Sequence, residues 1–252
     1  MKSIFSPEGQ RALQALVARK PLLAFDFDGT LAPIVARPDE ACVPAGVLQR
    51  LIRLAAWRPV AVVTGRAVAD VQARLGFEPA YVVGNHGAED PRLAATASRV
   101  SQVGLQRARE SLAEHAQRLL DAGVTAEDKG VSLALHYRSA PDQAKALATI
   151  DSVVAGLGGA LETFGGKCVV NLVAAGAPDK GDAVQRLVHE SGSDAAFFAG
   201  DDVNDEAVFE LAPPHWLTVR VGHDARVSKA QYFLESQEDM AQLLQQMLDF
   251  SN

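Results

Sequence analysis

The chain has 252 residues, of which 48% are hydrophobic and 22% are charged, values typical of a folded globular protein. At roughly 150 residues per domain, this length allows one large domain or two small ones. The net charge of −7 argues against binding nucleic acid or an anionic membrane through a general positive surface. An anionic ligand would therefore need local positive charge or a bound metal ion.

The cysteine content and the apolar segments bear on the compartment. Cys42 and Cys168 form no CxxC pair, which indicates reduced thiols in a cytoplasmic protein. No apolar stretch approaches the roughly 18 to 20 residues of a membrane span, and the first ten residues lack the apolar segment of a signal peptide. We therefore expect a cytoplasmic monomer with no membrane or nucleic-acid partner.

Short apolar runs alternate with helical patterns at both ends of the chain, a rhythm typical of a parallel sheet with crossover helices. The apolar runs predict strands at residues 22–25, 60–63, 81–83, 195–199 and 218–221. Apolar residues at helical spacing predict helices at residues 7–19, after Pro44, at 180–190 and between the last two strands. Both ends of the chain therefore belong to one α/β core.

The middle of the chain follows a different pattern. Two helix-like stretches cover residues 102–120 and 141–157, and the alternating residues 131–136 predict a strand with one buried face. Two further runs, 160–164 and 168–173, are joined by two glycines and predict a hairpin. These patterns indicate a separate α+β unit.

The predicted architecture is thus a discontinuous core with one insertion. We assign residues 1–90 and 174–252 to the α/β core and residues 91–173 to the α+β insertion.

Polar segments follow the predicted core strands or begin a core helix. Ligand sites of open α/β sheets lie beyond the carboxyl ends of the strands, where these segments collect. They read Asp26-Phe27-Asp28-Gly29-Thr30, Thr64-Gly65-Arg66, Lys180-Gly181 and Gly200-Asp201-Asp202-Val203-Asn204-Asp205. Each segment alone is also compatible with an ordinary helix cap or turn. Together they indicate one site at the sheet edge.

This set of residues suits phosphoryl transfer. A carboxylate can attack phosphorus when a cation offsets the negative charge, and Mg²⁺ is commonly held by one or two carboxylates. Asp26 and Asp201 are the natural metal ligands. Two carboxylates and a phosphate dianion carry −4, whereas Mg²⁺ and Lys180 supply +3, so near-neutrality requires both cations. Lys180 is therefore expected to be catalytic.

The neighbouring residues have supporting roles in the same chemistry. Asp28 lies two residues after Asp26 and can serve as general acid and then as general base. The hydroxyl of Thr64 can contact the phosphoryl oxygens, and Gly29 allows the backbone to approach them closely. Behind these groups we place Asp202 and Asp205, of which Asp205 would orient Lys180 or a metal-bound water.

In their order along the chain, the polar segments resemble the four motifs of the haloacid dehalogenase (HAD) superfamily. The resemblance implies a Rossmannoid core with a parallel sheet and Asp26 as nucleophile. It implies Mg²⁺ held by Asp26, the backbone carbonyl of Asp28 and Asp201, with Asp28 as the acid and base. It also implies that the insertion between Thr64 and Lys180 is a mobile α+β cap that selects the substrate.

The insertion and its flanks resemble the bacterial trehalose-6-phosphate phosphatases, and this resemblance extends over residues 22–244. The segments that carry it are Gly84-Asn85-His86-Gly87-Ala88-Glu89, Glu127-Asp128-Lys129-Gly130, Leu135-His136-Tyr137-Arg138 and Gly166-Lys167-Cys168-Val169-Val170. It implies hydrolysis of trehalose 6-phosphate to trehalose and phosphate. The substrate-binding residues in this reading are Arg66, His86, Glu127, Lys129 and Lys167, together with His136 and Arg138, which can equally be strand residues that pack or face solvent.

The chain departs from this family at Asn171, where the family usually has a glutamate. The departure keeps another sugar phosphate open as substrate, such as sucrose 6-phosphate or glucosyl-3-phosphoglycerate. A phosphomutase shares the aspartyl-phosphate and is a further alternative. A non-catalytic sugar-phosphate sensor would be expected to lack an essential acid, yet Asp26, Asp28 and Asp201 are all present.

Overall fold

The structure is a computed structural model that describes residues 1–93, 99–166, 168–223 and 227–251. The chain divides into two compact units. The first unit consists of Met1–Asp90 and Pro178–Asn252, and the second of Pro91–Ala177. Each unit is built on a sheet of its own.

The strands, in chain order, are β1 (Lys2–Ser3), β2 (Pro21–Phe25), β3 (Val60–Val63), β4 (Tyr81–Val83), β5 (Thr125–Asp128), β6 (Ser132–His136), β7 (Leu161–Gly166), β8 (Val169–Ala174), β9 (Ala195–Gly200), β10 (Leu217–Val221) and β11 (Tyr232–Leu234). The α-helices are α1 (Pro7–Val17), α2 (Ala45–Ala55), α3 (Val68–Leu75), α4 (Arg99–Glu114), α5 (Ala116–Asp121), α6 (Gln143–Val154), α7 (Lys180–Glu190), α8 (Glu206–Leu211) and α9 (Met240–Phe250). None of the described helices is long and apolar enough to span a membrane.

The first unit contains a seven-stranded sheet in the order β1-β11-β10-β9-β2-β3-β4, with every described pairing parallel. All residues of β2, β3 and β9 are buried. Continuous burial is expected of parallel strands that are covered on both faces. The order places β9, β2 and β3 side by side, so the residues that follow these strands share one edge of the sheet.

The second unit contains a four-stranded antiparallel sheet in the order β5-β6-β8-β7. Leu133, Leu135 and Leu172 of this sheet join a buried apolar cluster with residues of α4, α5 and α6. The opposite face carries Glu127, Ala134 and Asn171 in register across β5, β6 and β8. We call this the polar face of the insertion.

Two local predictions in the insertion are wrong. Ser132 and Ala134 of β6 are 2% and 0% exposed, although the alternation predicts a solvent-facing side. β6 is an inner strand of the sheet, with β5 and β8 on either side, and both residues have small side chains. The predicted hairpin forms, but Gly165 and Gly166 lie within β7. The turn falls later, where Cys168 has a φ of 63°.

Candidate active site

Three acidic or hydroxyl side chains follow the three adjacent strands of the first sheet. Asp26 follows β2, Thr64 follows β3 and Asp201 follows β9. Their exposed fractions are only 5%, 1% and 6%. The backbone N–H of Asp26 donates to the carbonyl of Ala199 at 2.9 Å, which holds the nucleophile candidate beside β9. The predicted grouping at one sheet edge is therefore what the structure contains.

Lys180 brings a buried positive charge to this group. It is the first residue of α7, whose start is fixed by reciprocal capping hydrogen bonds between Asp179 and Asp182. Its Nζ lies 2.9 Å from Asp26 Oδ1 and 2.7 Å from Asp205 Oδ1. The side chain is 1% exposed, so the ammonium is held by carboxylates rather than by solvent.

Burial and neighbouring charges shift the pKa values of both partners. Burial raises the pKa of Asp26, and the attraction of Lys180 only partly offsets burial and the repulsion of Asp205 and Asp201. Burial alone would lower the pKa of Lys180, but Asp205 and Asp26 outweigh it and hold this pKa above its ordinary value. The lysine is therefore charged, and its ammonium contacts the carboxylates of both Asp26 and Asp205.

The acidic side chains form a group that can hold a metal ion. Asp26, Asp201 and Asp205 each offer one carboxylate oxygen, and these oxygens all lie within 4.8 Å of one another. When all three carboxylates are ionised they carry −3 and the Lys180 ammonium carries +1, which leaves −2 for one divalent cation to balance. Hard oxygen donors of this kind suit Mg²⁺ or Ca²⁺. The residues present therefore fit a divalent cation.

Two glycines are required by close packing around these carboxylates. Gly29 has a φ of +80°, and a Cβ at this position would overlap the carboxylate of Asp201. A Cβ at Gly200 would overlap the carboxylate of Asp205 in the same way. The polar loops can thus surround the acidic group only because these two positions lack side chains.

Asp28 pairs with Arg66. Two nearly parallel hydrogen bonds join them, from Nε to Oδ2 at 2.6 Å and from Nη2 to Oδ1 at 2.7 Å. Arg66 also donates from Nη1 to Asp70 Oδ2 at 2.7 Å and from Nη2 to the carbonyl of Pro38 at 3.0 Å. Its guanidinium carbon lies 5.3 Å from the ring centre of Phe27. The arginine predicted to bind substrate is therefore largely occupied by protein acceptors.

The loops after β3 and β4 are joined through the backbone. The N–H of His86 donates to the carbonyl of Thr64 at 2.9 Å, and the N–H of Arg66 donates to Thr64 Oγ1 at 3.2 Å. Asn85 and His86 have φ values of 48° and 58°, a left-handed conformation rare outside glycine. The imidazole occupies the space that a side chain on Gly65 would need. The structure thus places His86 next to Thr64.

The predicted substrate residues of the insertion lie on or beside its polar face. His136 Nε2 is 2.8 Å from Glu127 Oε2, across the β5–β6 pair, and Lys129 Nζ is 3.9 Å from the same oxygen. Arg138 is exposed just beyond β6. Lys167 lies outside the described residues. Three of the predicted residues are therefore brought together within the insertion.

Sequence reasoning missed part of the site. It placed Asp205 behind the metal ligands to orient Lys180, and Asp205 Oδ1 does accept a hydrogen bond from Lys180 Nζ at 2.7 Å. It did not foresee that Asp205 also offers an oxygen within the acidic group, while its Oδ2 accepts a hydrogen bond from the backbone N–H of Asp202 at 2.9 Å. It also overlooked Asp70, which bridges Arg66 and Arg74. The spacing Arg66, Asp70, Arg74 is i, i+4 and would have revealed this pairing.

The fold closely matches a known structure. The C-terminal domain of a trehalose-6-phosphate phosphatase from Candida albicans superposes with a TM-score of 0.82 at 21% identity, covering 98% of each chain. This similarity confirms the predicted fold class, an α/β core with a parallel sheet and an α+β insertion. A phosphatase from Bacteroides thetaiotaomicron described as a member of the HAD superfamily has a similar fold, with a TM-score of 0.62 at 15% identity.

The sequence comparisons identify the family. The trehalose-phosphatase family model matches residues 24–238, and the chain belongs to this family. A trehalose-phosphate phosphatase of Mycobacterium tuberculosis is 32% identical over 94% of this chain and 64% of its own length. A protein of the same organism described as an uncharacterized glycosyl hydrolase is 33% identical over 92% of this chain and 18% of its own length. The chain thus spans less than two thirds of these relatives.

Proposed function

We propose that the chain is a Mg²⁺-dependent phosphatase that hydrolyses trehalose 6-phosphate to trehalose and phosphate through an aspartyl-phosphate on Asp26. The observation that carries this proposal is the buried group of Asp26, Asp201, Asp205 and Lys180 in a chain of the trehalose-phosphatase family. A nucleophilic carboxylate next to a buried ammonium and further metal-binding carboxylates is what phosphoryl transfer to an aspartate requires.

In the first half of the reaction, a carboxylate oxygen of Asp26 forms a bond to phosphorus while the ester P–O bond breaks. Asp28 gives its proton to the departing sugar oxygen. Lys180 holds the Asp26 carboxylate at 2.9 Å and offsets negative charge as the phosphate approaches. Thr64 donates to the phosphoryl oxygens.

In the second half, Asp28 takes a proton from a water molecule as the water oxygen bonds to phosphorus. The P–O bond to Asp26 then breaks, which releases phosphate and restores the carboxylate. The same side chain therefore serves first as acid and then as base. Asp28 suits this role because it is 35% exposed, whereas Asp26 is buried.

Asp26, Asp201 and the backbone carbonyl of Asp28 would hold Mg²⁺, with Asp205 close enough to contribute. When bound, the cation would offset the charge that accumulates when a carboxylate meets a phosphate. The net −2 of the described group supports this assignment.

We propose that the insertion selects the sugar through its polar face. Glu127, Lys129 and His136 offer hydrogen-bonding and charged groups that suit sugar hydroxyls. Arg138 and Lys167 remain candidates for the same task, as does His86 of the first unit. Sites that hydrogen-bond a substrate discriminate strongly, because the wrong substrate leaves buried polar groups unpaired.

A second candidate function keeps the chemistry and changes the sugar. Asn171, 2% exposed, stands where the family usually has a glutamate, and its Nδ2 has no hydrogen-bond partner among the described residues. An amide recognises a sugar without the charge of a carboxylate. Sucrose 6-phosphate and glucosyl-3-phosphoglycerate are the corresponding substrates.

We also propose that the reaction takes place in the cytoplasm and that the enzyme acts as a monomer on a small sugar phosphate. Both Cys42 and Cys168 are free thiols, which suits a reducing compartment.

The test is phosphate release by the purified chain from trehalose 6-phosphate, sucrose 6-phosphate, glucosyl-3-phosphoglycerate and glucose 6-phosphate, with Mg²⁺ and with a chelator. We expect Mg²⁺-dependent turnover with the highest kcat/KM for trehalose 6-phosphate. Preference for another ester would support the second candidate. Absence of phosphate release from all of them would overturn the proposed function.

A further inference from the structure

We propose that Arg66 is a positioning residue that fixes the carboxylate of Asp28 for proton transfer, and that it does not bind the substrate directly. The inference rests on the proposed function, in which Asp28 is the acid and base. It changes the role expected for Arg66 from the sequence.

The first observation is the geometry of the pair. Nε and Nη2 of Arg66 donate to different oxygens of Asp28, at 2.6 Å and 2.7 Å. A two-bond pair between two planar groups fixes the rotation of the carboxylate as well as its position. A single hydrogen bond would leave the carboxylate free to turn. The proton-carrying group is thus held in one orientation.

The second observation is that Arg66 is itself immobilised. Nη1 donates to Asp70, which also accepts from Arg74 Nη2 at 2.6 Å, and Nη2 donates to the carbonyl of Pro38. The guanidinium also lies near the buried ring of Phe27. The Arg66 side chain is 12% exposed against 35% for Asp28. Asp28 is therefore the more accessible partner, and the more buried arginine holds its carboxylate in place.

The third observation is that most N–H donors of the Arg66 guanidinium are already bonded to acceptors within the protein. A guanidinium has five N–H donors. Those of Arg66 reach both oxygens of Asp28, one oxygen of Asp70 and the carbonyl of Pro38. Four of the five donors are therefore engaged, and to bind a sugar or phosphate through any of these four Arg66 would have to break a bond within the protein. Most of its donors therefore hold other parts of the protein, and its effect on the reaction passes through Asp28.

The test compares wild type with Arg66→Ala and Arg66→Lys. With trehalose 6-phosphate we expect kcat of Arg66→Ala to fall about 100-fold, within the usual contribution of acid–base catalysis, while KM changes little. Arg66→Lys keeps the charge but cannot form the two-bond pair, so we expect an intermediate kcat. A raised KM with kcat retained would show that Arg66 binds substrate and would overturn the inference.

A pair of sugar-free esters separates proton delivery from sugar binding. The phenolate of phenyl phosphate needs a proton far more than that of p-nitrophenyl phosphate, whereas the two esters have the same ring and lack sugar hydroxyls. We expect Arg66→Ala to lose about tenfold more kcat/KM on phenyl phosphate than on p-nitrophenyl phosphate. Equal losses on both esters would contradict a role through Asp28.

Arg186→Ala is the matched control. Arg186 donates to the nearly inaccessible carboxylate of Asp90 at 2.8 Å, so its removal breaks a comparable ion pair of the same unit away from Asp28. We expect the kcat of Arg186→Ala, and its relative activity on the two aryl esters, to match wild type. Thermal unfolding of all variants shows whether any of them has lost stability in general. If wild type releases no phosphate from trehalose 6-phosphate, the proposed function fails, whereas the aryl esters still report on Arg66.

Discussion

The buried acidic group of the first unit and the Glu127–His136 contact of the insertion differ in their exposure to solvent. In the first unit, Lys180 and Asp205 are 1% and 0% exposed and bonded to each other. In the insertion, His136 Nε2 and Glu127 Oε2 lie 2.8 Å apart on side chains that are 43% and 51% exposed. Breaking a buried pair leaves an uncompensated charge, whereas an exposed pair contributes about 0–1 kcal/mol. We infer from this difference that the residues of the first unit perform the reaction and cannot be substituted without loss. The residues of the insertion recognise the substrate, and substituting them costs less.

The largest difference should come from matched carboxylate-to-amide changes in the two units. Asp26→Asn removes the nucleophile, and we expect kcat to fall by about 10⁴-fold or more on every ester. Glu127→Gln should lower kcat/KM for trehalose 6-phosphate about tenfold and leave p-nitrophenyl phosphate unaffected. Phosphate-release kinetics measure both. Substantial turnover by well-folded Asp26→Asn would refute the nucleophile assignment.

A lysine pair gives the next largest contrast. Lys180→Met leaves Asp26 and Asp205 without the ammonium that contacts both, so we expect about 3–5 kcal/mol lower stability without divalent cation and loss of activity. Lys129→Met should cost less than Lys180→Met, because Lys129, although itself 11% exposed, lies 3.9 Å from a partner, Glu127, that is 51% exposed. Urea unfolding with and without Mg²⁺ checks this. Equal costs would remove the distinction between the units.

Two glycines with the same backbone conformation, one in each unit, extend the comparison between the first unit and the insertion. Gly29 and Gly130 have φ values of +80° and +81°, but only Gly29 has a side chain, that of Asp201, in the space of a Cβ. Alanine at Gly130 should cost about 1–2 kcal/mol from backbone strain alone. Alanine at Gly29 should also displace Asp201 and raise the Mg²⁺ concentration needed for half-maximal activity. An unchanged Mg²⁺ requirement would argue against Asp201 as a ligand.

The smallest effect should come from an exposed pair of the insertion. A hydrogen bond from Arg109 lowers the pKa of Asp128, so this pair stabilises the fold above the ordinary pKa of an aspartate and loses that contribution as the pH falls. Because Asp128 is 51% exposed, Asp128→Asn should cost under about 1 kcal/mol at neutral pH and almost nothing in strong acid. Urea unfolding at several pH values measures it, and a difference that grows in acid would contradict the sign.

Much of the first unit could be predicted from sequence because its strands are continuous apolar runs. The strands Val60–Val63 and Tyr81–Val83 and the helix Lys180–Glu190 have the predicted bounds. β1 and β11 were not predicted, since two and three residues carry no detectable pattern and depend on their partners in the sheet.

Part of the site could likewise be predicted from the sequence, and part of it could not. Asp26, Thr64 and Asp201 follow adjacent strands, so the strand-end rule was sufficient to group them. The pairing of Asp28 with Arg66 joins residues 38 positions apart and depends on loop conformations that no local pattern specifies. The roles proposed for the insertion residues rest on the family resemblance, because these residues do not follow strands of the core sheet and the strand-end rule does not group them.

The most direct test of this division is the ratio of kcat/KM for trehalose 6-phosphate to that for p-nitrophenyl phosphate, measured for wild type and for the double variant Glu127→Gln, Lys129→Met. If the insertion selects the sugar and the first unit performs the chemistry, the ratio falls about 100-fold while hydrolysis of p-nitrophenyl phosphate stays near wild type. An unchanged ratio, whether both activities fall equally or neither falls, would contradict the proposal that the insertion selects the sugar.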